Sequence, residues 1–473
     1  MKMPTHVAVG APLLLMLAGG CASMSGERTG AVPITSSAVG DTVARAVDPV
    51  DGARMHEDVT TLAGFGTRHT LSETESDSRG IGAARRWLKA EFERIAEASG
   101  RTGPGSPSIY FDRHTVEPDG RRITERVDVV NVVCEIPGSM PSAADRRIYV
   151  IAHYDSRASG ALDAESDAPG ANDDASGVAV CLELARVLMP LELDATVVLM
   201  PTAGEEQGLF GARLHARAAR DRGDRIDAVL NNDTVGDGDG PGGRSAHDRV
   251  RVFSEGIPVA LLNDDRSQAL ARLRRESAES DGTSRQLARY IAEVAGQHDL
   301  PVKPMLVHRA DRYLRGGDHT GFNEQGFAAI RFIEVYEDYT KQHQDVRIED
   351  GIEYGDTAEH VDPAYLEGVA KLNAASVVHL ANAPSVPKRA RIIVAELSND
   401  TTLRWDESPE PDVVGYEIVW RETTSPSWQH ATEVGDVTEA TIDLSKDHWF
   451  FGVRAVDRDG YRSPVAFPYA SRD

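Results

Sequence analysis

The sequence predicts an α/β protein: a three-layer α/β/α domain built on a mixed, mainly parallel sheet, followed by a β-sandwich. Three observations carry this reading. Two short, β-branched apolar runs, 148–152 and 196–201, flank a stretch at 175–188. In that stretch Val178, Cys181, Leu182, Ala185 and Leu188 recur at helical spacing. Together they form a β-α-β unit. Polar residues gather where its strands end: His153 and Asp155 after the first, Asp173 and Asp174 before the helix, Glu205 and Glu206 after the second. Beyond Ala383-Pro-Ser-Val-Pro387 the hydrophobic period changes to two, and no long helix is apparent.

The elements follow in order. Residues 1–21 read as an export signal, with Lys2 before an apolar run at 7–17 that is too short to span a bilayer as a mature helix. Leu17-Ala-Gly-Gly-Cys21 resembles a bacterial lipoprotein signal. That resemblance implies lipidation of Cys21, with ordinary signal cleavage as the alternative, and membrane contact only through the lipid. Residues 22–50 are rich in Ser, Thr, Gly and Ala without a sustained period and read as a flexible linker. A domain then spans 51–383. It starts with helices around 56–62 and 80–99 and strands at 108–116 and 126–136. After the β-α-β unit come a helix at 209–222, a strand at 226–232 ending at Asp233, and a Gly/Asp loop at 236–248. A strand at 249–254, a charged exposed stretch at 270–284, a helix at 284–298 and a strand at 302–307 come next. The loop 309–317, a short helix at 318–325, a strand at 328–334, a polar loop at 337–357 and a helix at 363–381 close the domain. Residues 384–473 show short strands at 391–397, 401–405, 414–421, 439–444 and 449–456, which suggests a sandwich. Trp405, the 415–420 strand and Phe451-Gly-Val-Arg-Ala-Val456 resemble a fibronectin type III domain. Trp449 stands where that family usually has the tyrosine of its corner.

The chain has 473 residues, with 51 basic against 75 acidic and a formal charge of −24. This argues against nonspecific nucleic-acid binding, which needs basic surface. Three cysteines make no disulfide framework. Cys134 and Cys181 read as buried thiols, and a bond between them stays open if the compartment is oxidising.

Ligands of open α/β sheets bind at the carboxyl ends of strands, where this chain gathers one imidazole and five carboxylates. Such carboxylates repel in a partly dry pocket, and one or two divalent cations relieve the repulsion. Mixed imidazole and carboxylate donors suit zinc better than calcium or magnesium, although cobalt and manganese stay open. No Gly-x-Ser-x-Gly, His-Glu-x-x-His, P-loop or dinucleotide fingerprint is present.

His153-Tyr-Asp155, Gly170-Ala-Asn-Asp-Asp-Ala-Ser-Gly177, Gly204-Glu-Glu-Gln-Gly-Leu209 and Asn232-Asp-Thr-Val-Gly236 resemble the two-zinc exopeptidases typified by bacterial leucyl-type aminopeptidases. The resemblance covers about 51–383. It implies two zinc ions, with His153 and Asp233 each on one, Asp173 bridging and Glu206 on the second. A late imidazole completes the set. His343 is the choice, although the family's Tyr before it is Gln342 here, and His319 in Gly316-Gly-Asp-His319 is the competitor. Glu205 would be the general base. The Asp155 side chain would orient the His153 imidazole. Asp174 would serve backbone turns, through a bond to Asp173 that is often cis in the family. Gly170 and Gly177 would serve tight backbone geometry. Apart from the resemblance, Arg315 and Tyr313, with Arg309 and Arg312, in the loop 309–317 read either as an exposed charge run or as contacts to the carbonyl or carboxylate of a peptide or protein substrate. The expected activity is hydrolysis of the N-terminal peptide bond by an exported enzyme. A carboxypeptidase, a glutaminyl cyclase-like enzyme or a non-catalytic surface module are the alternatives.

Overall fold

The structure, a computed structural model, describes residues 37–262, 268–395 and 397–472. The export signal, Cys21 and the first part of the expected linker lie outside the described residues. The rest of that linker is not a tether. Helix α1 (Ser37–Val47) places Val39, Val43 and Ala46 in the core. Their spacing is one face of a short helix, hidden in a Ser/Gly/Thr-rich composition.

Helix α2 (Gly52–Ala63) starts at Asp51, whose carboxylate accepts from the Ala53 and Arg54 amides, an N-cap. Helix α3 (Gly80–Ser99) ends at Gly100 in the left-handed region (φ 70°). Strands β1 (Ser108–Val116), β2 (Val127–Ile136), β3 (Arg146–His153), helix α4 (Ser176–Leu188) and β4 (Thr196–Thr202) follow. Next come α5 (Phe210–Arg222), β5 (Arg225–Asn232), β6 (Arg249–Ser254), α6 (Gln268–Arg275), α7 (Thr283–Gln297) and β7 (Lys303–Val307). The short α8 (His319–Asn323), β8 (Ala329–Ile333), a hairpin of β9 (Arg347–Glu349) and β10 (Ile352–Tyr354), and α9 (Pro363–Asn382) complete the domain. The hairpin lies in the stretch expected to be loop.

The eight main strands form one sheet in the order β1-β2-β4-β3-β5-β8-β6-β7. The central run β4-β3-β5-β8 is parallel, β2, β6 and β7 run against it, and β1 pairs antiparallel with β2. Alternation along β3 explains the three layers. Ile148, Val150 and Ala152 join the core under α1, α2, α3, α4, α7 and α9, while Tyr149 and Ile151 join the core under α5 and α8. Cys134 and Cys181 are buried free thiols. No described helix is long and apolar enough to cross a membrane.

The C-terminal strands are β11 (Arg391–Ile393), β12 (Thr401–Arg404), β13 (Val413–Glu422), β14 (His430–Gly435), β15 (Glu439–Ile442), β16 (Trp449–Asp457) and β17 (Tyr469–Ser471). They form two sheets, β15-β12-β11-β17 and β14-β13-β16. Leu403, Trp405, Tyr416, Ile418, Phe451 and Val453 share the core between them. This sandwich docks on α7. Asp281 is wholly buried between Arg289 (2.7 Å) and Arg421 (2.8 Å). Trp428 Nε1 donates to Gln286 Oε1 at 3.1 Å. The stretch 270–284 is largely exposed, as expected, but Asp281 near its end is buried under the second domain, where Arg421 pairs with it.

Candidate metal centre

The site lies at the carboxyl ends of β3, β4 and β5. His153 is the last residue of β3, Asp173 and Asp174 sit in the turn leading into α4, Glu205 and Glu206 follow β4, and Asp233 follows β5. The Asp173–Asp174 bond is cis. Gly170 takes φ 51°, and a Cβ there would meet Ser156 Cβ at 2.5 Å. At Gly177 a Cβ would meet Asn232 O at 2.3 Å, so α4 packs against β5 only through glycine.

Two donor groups result. His153 Nε2 lies 3.0 Å from Asp173 Oδ1 and 3.9 Å from Asp233 Oδ1. His343 Nε2 lies 3.0 Å from Asp173 Oδ2 and 2.9 Å from Glu206 Oε1. Each trio offers its donor atoms within 4.8 Å of one another, and Asp173 belongs to both. Glu206 Oε1 is buried and makes no hydrogen bond despite the nearby imidazole. An orphaned carboxylate oxygen among converging imidazole and carboxylate donors fits a divalent metal, and this donor set fits zinc. A third group, Asp112, His114 and His215, lies elsewhere and is closed by hydrogen bonds. Asp112 Oδ2 meets His114 Nε2 at 2.9 Å and His215 Nδ1 at 2.8 Å, and His215 Nε2 meets Tyr149 OH at 3.1 Å.

The other imidazole is placed differently. His319 Nε2 meets the Ala310 carbonyl at 3.0 Å and takes no part in either trio. Asp155 acts through other atoms than expected. Its backbone carbonyl, 3.0 Å from His153 Nδ1, orients the imidazole, and its carboxylate is 3.6 Å away. That carboxylate instead accepts from the Glu205 and Glu206 amides, both at 3.2 Å, and from Thr70 Oγ1 at 3.1 Å. Asp155 thus holds the turn that carries both glutamates. Asp174 serves the backbone: its carboxylate accepts from the amides of His153 (3.0 Å), Gly177 (3.0 Å) and Thr234 (3.1 Å). Arg315 pairs with Glu337 at 3.2 Å and donates to Gln342 Oε1 at 3.2 Å. Tyr313 is 82% exposed, with the Arg309 guanidinium 3.5 Å from its ring centroid.

Burial and crowding set the protonation of these groups. Burial pushes the Glu205 carboxyl well up, and the charges of Asp233 and Glu206 add to it against His153. Burial likewise pushes Asp174 well up, and Asp318 up to about 7. The imidazoles move up as well. Burial opposes this, but Glu205 raises His153, and Glu206 with Asp173 raises His343 to about 10. Asp173 goes well below the usual range: the two imidazoles outweigh its burial.

The model of Peptidase family M28 matches residues 131–377, more than half of the chain. The chain belongs to peptidase family M28. A protein of Pyrenophora tritici-repentis named "Probable zinc metalloprotease" is 40% identical over 424 residues, covering 89% of this chain and 86% of its own. One of the same name from Pyricularia oryzae is 41% identical over 452 residues, covering 92% and 88%. Among solved structures, LapB from Legionella pneumophila matches with TM-score 0.50 at 19% identity, over 71% of this chain and 74% of that one. The last likeness concerns the fold.

The M28 domain holds its site with residues that sequence reasoning did not single out. Arg331, wholly buried on β8, pairs with Asp233 at 2.8 Å and with Asp311 at 3.0 Å. Asp356 accepts from the Asn172 and Asp173 amides at 2.8 and 2.7 Å, and Gln342 Nε2 donates to Asp173 Oδ2 at 2.7 Å. Arg68 is wholly buried and donates to the carbonyls of Tyr154 (2.6 Å), Gly170 (2.9 Å) and Pro169. A charge within an apolar strand such as Ala329–Ile333 was the one local signal for Arg331, since a buried charge needs a partner.

Proposed function

We propose that the protein is a zinc-dependent aminopeptidase that binds two zinc ions. The observation that carries this is the sharing of Asp173 by two donor trios beside a half-buried glutamate that belongs to neither. His153 and Asp233 would hold one ion, Glu206 and His343 the other, and Asp173 both. When bound, the ions polarise the peptide carbonyl and make water acidic enough to lose a proton near neutral pH. Glu205 takes that proton on its carboxylate and delivers it to the leaving nitrogen. Asp155 keeps Glu205 in place through its amide, and Arg331 neutralises Asp233 from the protein side. The names of the relatives support zinc and proteolysis.

The test is Glu205→Gln. The variant should keep two zinc ions per chain and lose about 10²–10⁴-fold in turnover of a leucyl peptide, the range of general base catalysis. Retained activity removes Glu205 from the mechanism. Cleavage of a leucyl peptide but not of its N-acetyl form separates an aminopeptidase from a carboxypeptidase, which accepts both. We also propose export with a lipid on Cys21, from the sequence of residues 1–21. Cys21→Ser should move the full chain from the membrane to the soluble fraction, and an unchanged distribution rejects the anchor.

A further inference from the structure

One arginine beside the site has no counterion. Arg122 lies in the loop before β2 and lines a cavity of about 220 Å³ together with Glu205, Glu206, Gln207 and Leu209. Its guanidinium reaches only the Glu206 carbonyl, at 3.5 Å, and among the described residues it joins no ion pair. The neighbouring cations are committed: Arg157 lies 4.0 Å from Glu206, Arg315 pairs with Glu337 at 3.2 Å, and Arg331 pairs with Asp233 at 2.8 Å. The loop is held in place. Asp119 Oδ1 accepts from the amides of Arg121, Arg122 and Ile123 at 2.8, 2.9 and 2.9 Å, and the Ile123 side chain is wholly buried. An ordered but unpaired guanidinium at a cavity wall is ready for an anion. It presents donors in a fork that matches a carboxylate, and neither the loop nor a competing acid has to rearrange.

We infer that Arg122 binds a carboxylate of the peptide substrate and so sets specificity. This rests on the aminopeptidase reading above. The cavity then offers a guanidinium toward the acid group of a substrate whose scissile bond lies beside Glu205. The acid can be the terminal carboxylate of a dipeptide or an acidic side chain of a longer peptide.

Four substrates separate these sources: Leu-Gly, Leu-Gly-amide, Leu-Glu-amide and Leu-Gln-amide, each hydrolysed by the zinc-loaded full chain. Arg122→Ala should lower kcat/KM by about 10- to 100-fold on a carboxylate substrate, as for one charge-assisted hydrogen bond, and leave the neutral amides within about twofold. Loss on Leu-Gly assigns the terminal carboxylate, and loss on Leu-Glu-amide assigns the side chain. Arg122→Gln, which keeps a donor for the Glu206 carbonyl, should show the same pattern at an unchanged melting temperature. Equal losses on all four substrates, or no loss on any, overturn the inference while the aminopeptidase reading stands. A wild-type chain that cleaves none of them overturns that reading, and the inference with it.

Discussion

Replacing Arg331 by Met removes a charge at nearly constant volume. The guanidinium is 1% exposed and bonds Asp233 Oδ1 at 2.8 Å, Asp311 Oδ2 at 3.0 Å and the Gly316 carbonyl at 2.6 Å. Without it, Asp233 keeps only the His153 imidazole at 3.9 Å, and Asp311 keeps only Arg312 at 3.0 Å as an arginine partner. Breaking a buried pair by removing one partner costs about 3–5 kcal/mol. The two pairs share one cation, so their costs do not add. The metal-free variant should therefore be less stable by about 3–5 kcal/mol. Urea unfolding followed by circular dichroism measures this as a shifted midpoint at constant slope. Two controls isolate the charge. Asp311→Asn added to Arg331→Met should return part of the loss, because a buried carboxylate left with Arg312 as its one arginine becomes neutral. Saturating zinc should narrow the gap to wild type, because bound cation at Asp233 supplies the missing charge. A loss below about 1 kcal/mol, or a double variant no more stable than the single one, refutes the reasoning.

Two further outcomes are expected. Burial lowers His379 to about 3, and it also lowers His298, whose Nε2 lies 2.9 Å from that of His379. An imidazole depressed in the folded state leaves the unfolded chain to bind the extra proton, so its contribution is whole above about pH 6.5 and falls as the pH drops toward 3. The loss from His379 is about 2 kcal/mol at pH 5. His379→Gln should flatten the fall of stability between pH 7 and 5 by about that amount, and a parallel profile rejects the assignment. Dialysed protein should carry two zinc ions per chain by elemental analysis. His114→Ala should leave that number unchanged and His343→Ala should lower it, whereas a third ion lost with His114 would show that the Asp112 cluster binds metal.

The β-α-β unit was legible because periodicity is a local property. Each residue of 148–152 and 175–188 shows which face it buries through its neighbours two, three or four positions away. The site was legible for the same reason, because His153, Asp173, Glu205, Glu206 and Asp233 all stand at ends of strands and connecting turns that the pattern already locates. The short strands β14 and β17 were not seen. His430–Gly435 alternates weakly with no buried residue, and Tyr469–Ser471 has only three residues. Helix α1 is hidden from the pattern because three apolar residues in a Ser/Gly/Thr-rich segment become a core face only against α9 and α4.

What the sequence determined by itself was the class of fold, the order of its elements and the acidic cluster at one edge of the sheet. Tertiary structure decided the partnerships. Periodicity and spacing near His343 and His319 do not say which imidazole reaches Asp173, and only the family resemblance favours His343. The chain path decides it, by turning His319 to the Ala310 carbonyl and bringing His343 to Glu206. Arg331 likewise meets Asp233 across adjacent parallel strands, and Asp281 meets Arg421 across two domains. Such pairs are distant in sequence and depend on strand register and domain docking, and their net energy is the attraction of two charges in a dry setting set against the cost of removing water from both. A local pattern carries no record of either.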